Sequence, residues 1–260
     1  MIKDGKKKIV VIISIFLLIV ISVGIFAIIT SYRVSLIPSM TFEEMLSYTT
    51  KDNEDAVITV GIIKDGNLSF TVYGENTTVL PNKEFEYEIG SVTKTFTASL
   101  LCKAIDEGKV RLSDPIDQYI ELPKKDYYPN IKCLVTHTSG YKNYYFDRQM
   151  ISNFFNGEKN DFCGINTEKL NDKIGEVSIE DNDYAFNYSN FGISVVGSAL
   201  AEIYGSDFTT VMNNFITSEL KLKNTKISNG LGDLDGYWNW KPNDGYIPAG
   251  AVISTISDMM

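Results

Sequence analysis

The chain has 260 residues, enough for one large domain or two small ones, and its 44% apolar and 22% charged residues are ordinary for a globular protein. Its net charge is −9, and residues 1–33 hold five of the 24 basic and one of the 33 acidic residues, which leaves the remainder at −13. Such an acidic remainder counts against nucleic acid as a partner and against a second, electrostatic attachment to anionic lipid.

The first element is apolar. Lys6, Lys7 and Lys8 precede residues 9–29, IVVIISIFLLIVISVGIFAII, a charge-free run of 21 residues. At about 1.5 Å per residue a helix of that length spans roughly 31 Å, a bilayer core. The following FAIITSYR offers no small-residue cleavage site, so residues 9–30 read as one uncleaved transmembrane anchor. The lysines place the basic tail, residues 1–8, in the cytoplasm and everything after Tyr32 outside the membrane.

Residues 31–54 read as a linker with one short helix in TFEEMLSYTT. DAVITVGIIKDGNLSFTVYG follows, two β-branched and aromatic runs around Asp65-Gly66, which predicts a hairpin. Leu100, Leu101 and Ile105 give the apolar face of a helix ending at Gly108. Cys102 is expected on that face as a small core residue. LSDPIDQYI predicts a helix start, with Ser113 or Asp114 capping and Pro115 in the first turn. Residues 141–187 have weak periodicity and read as loops and short helices. NFGISVVGSALAEIYG, closed by Gly205, and FTTVMNNFITSEL are two clearer helices. The aromatic segment DGYWNWKPNDGYIPAG then leads to STISDMM, the cap and first turn of a helix.

The three cysteines, Cys102, Cys133 and Cys163, have no metal-ligand spacing, and the single His137 completes no zinc site with them. No metal and no cofactor are expected, and nothing in the sequence supports a Cys133–Cys163 disulfide.

Ser-x-x-Lys occurs at Ser91/Lys94, Ser139/Lys142 and Ser218/Lys221. A serine at the first turn of a helix meets free N–H groups and the positive end of the dipole, which stabilise developing negative charge. A lysine three residues on shares its face and can exchange the hydroxyl proton. Ser91 meets both conditions, since it follows Gly90 and opens the amphipathic helix. Ser218 sits near a helix end, where the dipole has the wrong sign, and Ser139 is followed by a polar loop. Taken alone, Ser91 and Lys94 read more readily as a capping serine beside a solvated lysine.

Four blocks in order carry a resemblance that decides between those readings. FEYEIGSVTKTFTASLLCKAIDEGKVRLSDPIDQYI resembles the active-site region of class C serine β-lactamases and their relatives, the D-alanyl-D-alanine carboxypeptidases and penicillin-recognising esterases. LVTHTSGY, FNYSNFGISVVGSALAEIYG and IPAGAVISTISDM are similar to later segments of the same family. The resemblance implies an α/β, β-lactamase-like (transpeptidase-like) fold over residues 55–260, with a helical subdomain around residues 109–250. It implies that Ser91 is the acylated nucleophile, Lys94 its proton partner, Tyr188 the general base or proton shuttle, and Asn190 the substrate-binding residue. Tyrosine and lysine titrate near 10 unperturbed, so each needs desolvation or a positive neighbour to act near neutrality. The sequence does not assign the deprotonation of Ser91 to one of the two. The resemblance places His137 in a structural turn, and Tyr237, Trp238, Trp240 and Tyr246 are expected as packed core aromatics rather than the rim of a cleft.

The family's third motif, Lys-Thr-Gly or His-x-Gly, is not found after Tyr188. With the hairpin of residues 56–74 as the only strands, the domain is expected to be incomplete, lacking its C-terminal strands. The expected function is serine acyl transfer on an amide or ester, with a β-lactam or cell-wall peptide as substrate. Two rivals are an esterase with the same residues and a membrane-bound sensor that acylates slowly or not at all.

Overall fold

The computed structural model describes residues 15–26, 28, 31 and 39–260. The expected cytoplasmic tail and residues 9–14, 27, 29 and 30 of the expected anchor lie outside these. Residues 15–26 are helical with exposed apolar side chains. No helix among the described residues is long and apolar enough to cross a membrane.

The chain divides into two compact units, Met1–Val60 with Phe70–Asn82, and Gly61–Ser69 with Lys83–Met260. In the smaller unit, α1 (Phe42–Thr50) starts at a capping box in which the Thr41 side chain accepts from Glu44 N–H and the Glu44 carboxylate accepts from Thr41 N–H. The Thr50 hydroxyl oxygen accepts from Thr77 N–H at 3.0 Å, which ties α1 to the turn at Glu75–Thr77. The predicted hairpin is present as β1 (Ile58–Lys64) and β2 (Asn67–Tyr73). Asp65 and Gly66 at its tip both have positive φ, as a two-residue hairpin turn of the right twist requires.

The larger unit is built around one helix. After β3 (Tyr87–Glu88) come α2 (Thr93–Asp106), α3 (Ile131–Val135), α4 (Arg148–Asn156), α5 (Thr167–Glu176), α6 (Asn190–Tyr204) and α7 (Phe208–Ser218). Then follow β4 (Lys226–Ile227), α8 (Ile247–Gly250), β5 (Val252–Ser254) and α9 (Ile256–Met259). Every residue of α6 from Phe191 to Leu200 is buried, because α2, α3, α5, α7 and α8 surround it. A stretch enclosed on all sides needs no polar face, so these ten residues are apolar or small throughout. Gly197 is required for this packing: a Cβ there would stand 2.1 Å from Pro248 Cγ.

Three short strands pair antiparallel in the order β3-β5-β4. Tyr87 lies opposite Ser254, and both Glu88 and Lys226 lie opposite Ile253 on the two sides of β5. The hairpin is therefore not the only β-structure. Runs of two and three residues are too short to show a period of two in the sequence. LSDPIDQYI forms a single 3-10 turn at Ile116–Gln118 rather than a longer helix. Asp114 turns backward to accept from Arg111 N–H and the Tyr119 hydroxyl, while Pro115 is extended and bridges to Asn130. Cys102 is exposed, not in the core. It lies two residues past Leu100, on the other side of α2 from the buried row Phe96, Leu100 and Ala104. All three cysteines are free.

Candidate active site

Chain direction changes sharply before Ser91. Ile89 N–H donates to Val252 C=O at 3.0 Å, fixing the end of β3 against β5. Gly90 then takes φ +50, a left-handed conformation that glycine adopts without a Cβ clash, and Gly90–Val92 form a 3-10 turn feeding α2. Ser91 is thereby exposed at the mouth of the helix, while Lys94, one turn on, is only 8% exposed.

The first turns of α2 present a polar face to the segment 248–252. Thr97 Oγ1 donates to Pro248 C=O at 2.7 Å, Lys94 Nζ donates to Ala249 C=O at 2.6 Å, and Thr93 Oγ1 accepts from Val252 N–H at 3.0 Å. Lys94 Nζ also donates to Ser91 Oγ at 3.1 Å. Burial holds the Lys94 ammonium below its usual pKa, against a hydrogen bond and the charge interaction from Tyr188 that favour the charged form.

Tyr188 reaches the same oxygen, donating to Ser91 Oγ at 2.7 Å, with Lys94 Nζ 4.9 Å from its ring centroid. Its position comes from the start of α6. Ser189 caps that helix by accepting from Gly192 N–H and donates its own hydroxyl to Lys142 C=O at 2.7 Å. The loop 137–143 wraps this start: His137 C=O accepts from Asn187 N–H at 2.8 Å, and His137 Nδ1 accepts from Ser189 N–H at 3.1 Å. That bond leaves the proton of a neutral imidazole on Nε2. The ring stands 4.8 Å from the Tyr188 ring, and burial and the charge on Lys94 push its pKa down. His137 therefore braces Tyr188 from a turn at φ +60 and makes no hydrogen bond to Ser91 among the described residues.

Ser91, Lys94 and Tyr188 are brought together around one hydroxyl oxygen, and Asn190, the first residue of α6, lines the same cleft as Ser91. The cleft is about 300 Å³, with Glu88, Phe162, Trp238, Trp240 and Tyr246 among its walls. Trp240 and Tyr246 are buried, as expected of core aromatics, yet they also line the cleft with the exposed Trp238. Tyr237 does not; its hydroxyl donates to Glu86 C=O. Glu88 was passed over in the sequence although it lies three residues before Ser91. The Ala249 carbonyl carries no side-chain signal at all.

The family model described as Beta-lactamase matches residues 52–260. The chain belongs to the beta-lactamase family. Among curated proteins of known sequence, a beta-lactamase of Pseudomonas fluorescens is 30% identical over 189 residues, covering 66% of this chain and 46% of that protein. The D-alanyl-D-alanine-carboxypeptidase/endopeptidase AmpH of Escherichia coli (strain K12) is 27% identical over 180 residues, 63% of this chain and 43% of its own length. The chain thus spans under half the length of these relatives. A solved beta-lactamase/D-alanine carboxypeptidase from Yersinia pestis superposes with a TM-score of 0.62 at 20% identity, covering 86% of this chain and 65% of that one. FmtA from Staphylococcus aureus superposes at 0.59 and 21% identity, covering 84% and 62%. The expected β-lactamase-like α/β fold with a helical portion holds for this family member.

Proposed function

We propose that this beta-lactamase family member is a serine hydrolase that forms an acyl-enzyme on an amide or ester, a β-lactam or a peptidoglycan peptide being the substrate class. The observation that carries the reading is the convergence of Tyr188 OH, at 2.7 Å, and Lys94 Nζ, at 3.1 Å, on Ser91 Oγ. Both groups donate to the serine in the resting arrangement, so one of them must first lose its proton to accept the serine's. Lys94 is the group whose burial favours the neutral form. Once neutral, it takes the proton directly or through Tyr188, and Ser91 Oγ attacks the carbonyl carbon. The proton then passes to the leaving nitrogen or oxygen as that bond breaks, and water repeats the sequence to release the acid. Ser91 N–H, at the start of α2, supplies one donor for the developing oxyanion. Asn190 lies where it can hold the substrate's amide. In this reading residues 9–30 anchor the chain in the membrane with the hydrolase portion outside. The charge-free run behind Lys6, Lys7 and Lys8 supports that orientation.

The test is covalent labelling by a fluorescent penicillin. Ser91→Ala should abolish it, and Ser139→Ala and Ser218→Ala should leave it. Label that survives Ser91→Ala sinks the assignment. Loss of label over time separates a hydrolase from a slowly acylating sensor, which stays labelled. Protease added to intact cells should digest the region after residue 34, and its protection would reverse the orientation.

A further inference from the structure

The cleft beside Ser91 holds a carboxylate that the acyl-transfer chemistry does not use. Glu88 leaves β3 three residues before the serine, and both its oxygens accept from Trp238 N–H, at 3.0 and 3.1 Å. It forms no ion pair among the described residues. Lys94, the cation of the same neighbourhood, is directed at Ser91 and the Ala249 carbonyl instead. Lys159 acts on Glu88 only as a weaker, longer-range charge, and burial outweighs it, raising the carboxyl pKa. Around this carboxylate the walls are aromatic. Trp238 and Trp240 are tilted with centroids 6.1 Å apart, and Phe162 stacks on Tyr246 at 4.2 Å.

Aromatic faces attract a positive nitrogen through their quadrupole, and a carboxylate without a cation adds direct charge attraction. A neutral apolar group would fit the rings but leave Glu88 half-desolvated and unpaired. The negative field of the chain, −9 overall, also raises the local concentration of cations. The geometry points to a subsite for a positively charged nitrogen: the acyl part of the substrate carries an ammonium group that sits between the Glu88 carboxylate and the Trp238 and Trp240 faces. The substrate role rests on the hydrolase reading above, whereas the cation site stands on its own geometry.

The two tryptophans of the chain are Trp238 and Trp240, so selectively excited tryptophan emission reports this cleft. The full chain carrying Ser91→Ala is titrated with tetramethylammonium and, in parallel, with tert-butanol, its neutral counterpart in shape. The cation should change the emission saturably and bind about tenfold tighter than the alcohol, and Glu88→Gln should remove about that factor. Gln keeps an acceptor for Trp238 N–H and loses only the charge. Should Glu88→Gln melt early, Trp238→Leu carries the test through Trp240 emission, with loss of cation binding expected. Equal response to cation and alcohol, or cation binding unchanged by either substitution, overturns the subsite. With Ser91 intact, alanine p-nitroanilide should be cleaved in preference to its N-acetyl form, and Glu88→Gln should erase the preference, read as the ratio of the two kcat/KM values. Preference retained in Glu88→Gln overturns the substrate assignment. Saturable cation binding with no Ser91-dependent cleavage of either anilide refutes the hydrolase reading and leaves the cation site standing.

Discussion

Replacing Lys94 by Met separates its role in chemistry from its role in folding. The side chain is 8% exposed, and Nζ donates to Ser91 Oγ at 3.1 Å and Ala249 C=O at 2.6 Å. Met keeps the length and the apolar stem but removes the charge and both bonds. Two stability effects then oppose each other. The Ala249 carbonyl loses its donor, which costs about 1–3 kcal/mol. In return no cation has to be held in a site whose desolvation is the main cause of its lowered pKa. The net is expected within about 2 kcal/mol, and at about 2–4 °C per kcal/mol for a domain of this size Tm should move by no more than about 8 °C. No such offset exists for the reaction, where a positioned acid or base contributes roughly 10²–10⁴ in rate. Wild type, Lys94→Met and Ser91→Ala are compared for the rate of labelling by a fluorescent penicillin and for thermal melting. Lys94→Met should fold and label at least about 10²-fold more slowly. Labelling within threefold of wild type refutes the proton role, and a much larger drop in Tm would make Lys94 a structural strut instead.

Three further outcomes are expected. Tyr188→Phe, which removes one hydroxyl from an exposed ring, should slow acylation by roughly 10²–10⁴ with little change in melting; an unchanged rate constant would contradict its role. Thr93→Val removes the acceptor for the buried Val252 N–H and should lower stability by about 1–3 kcal/mol, measured by denaturant titration; a loss below about 0.5 kcal/mol would show that another group takes the bond. The folded pKa of His137 lies below its ordinary value of 6.5. The unfolded chain therefore binds a proton that the native state refuses, and stability conferred by the neutral ring is present above 6.5 and falls as pH drops below it. The Tm difference between wild type and His137→Gln should shrink between pH 7.5 and 5, and a constant difference would count against the assigned Ser189 bond.

What the sequence disclosed and what it hid follow from which atoms do the work. Ser91 and Lys94 stand three residues apart at a helix start, which spacing picks out, whereas Tyr188 and Asn190 were reached only through the resemblance to the family. The Ala249 carbonyl that accepts from Lys94 is backbone, and any residue at that position would offer one. The face of α2 was misread for a related reason. Its buried side mixes Thr93, Lys94 and Thr97 with Phe96, Leu100 and Leu101, so the apolar stripe is blurred and Cys102 was assigned to the wrong side. The helix α6 was legible because its long apolar run is closed by Gly205, while its Ser189 cap emerged only in the structure. The sheet was not, because two-residue strands are fixed by partners far away in sequence rather than by local pattern.

The three bonds that join α2 to the segment 248–252 span 151 to 159 residues of chain. At about 5–20 residues per second of synthesis, α2 waits roughly 8–30 s before its partner segment exists. Closing a loop of that length costs roughly 4–5 kcal/mol of chain entropy, so little of the contact forms ahead of the rest. Until then Lys94 is bathed in water, holds its proton at its ordinary pKa, and has no carbonyl to aim it. The nascent chain therefore presents Ser91 beside a hydrated Lys94, and the drier setting of that lysine forms only once the segment 248–252 has been made.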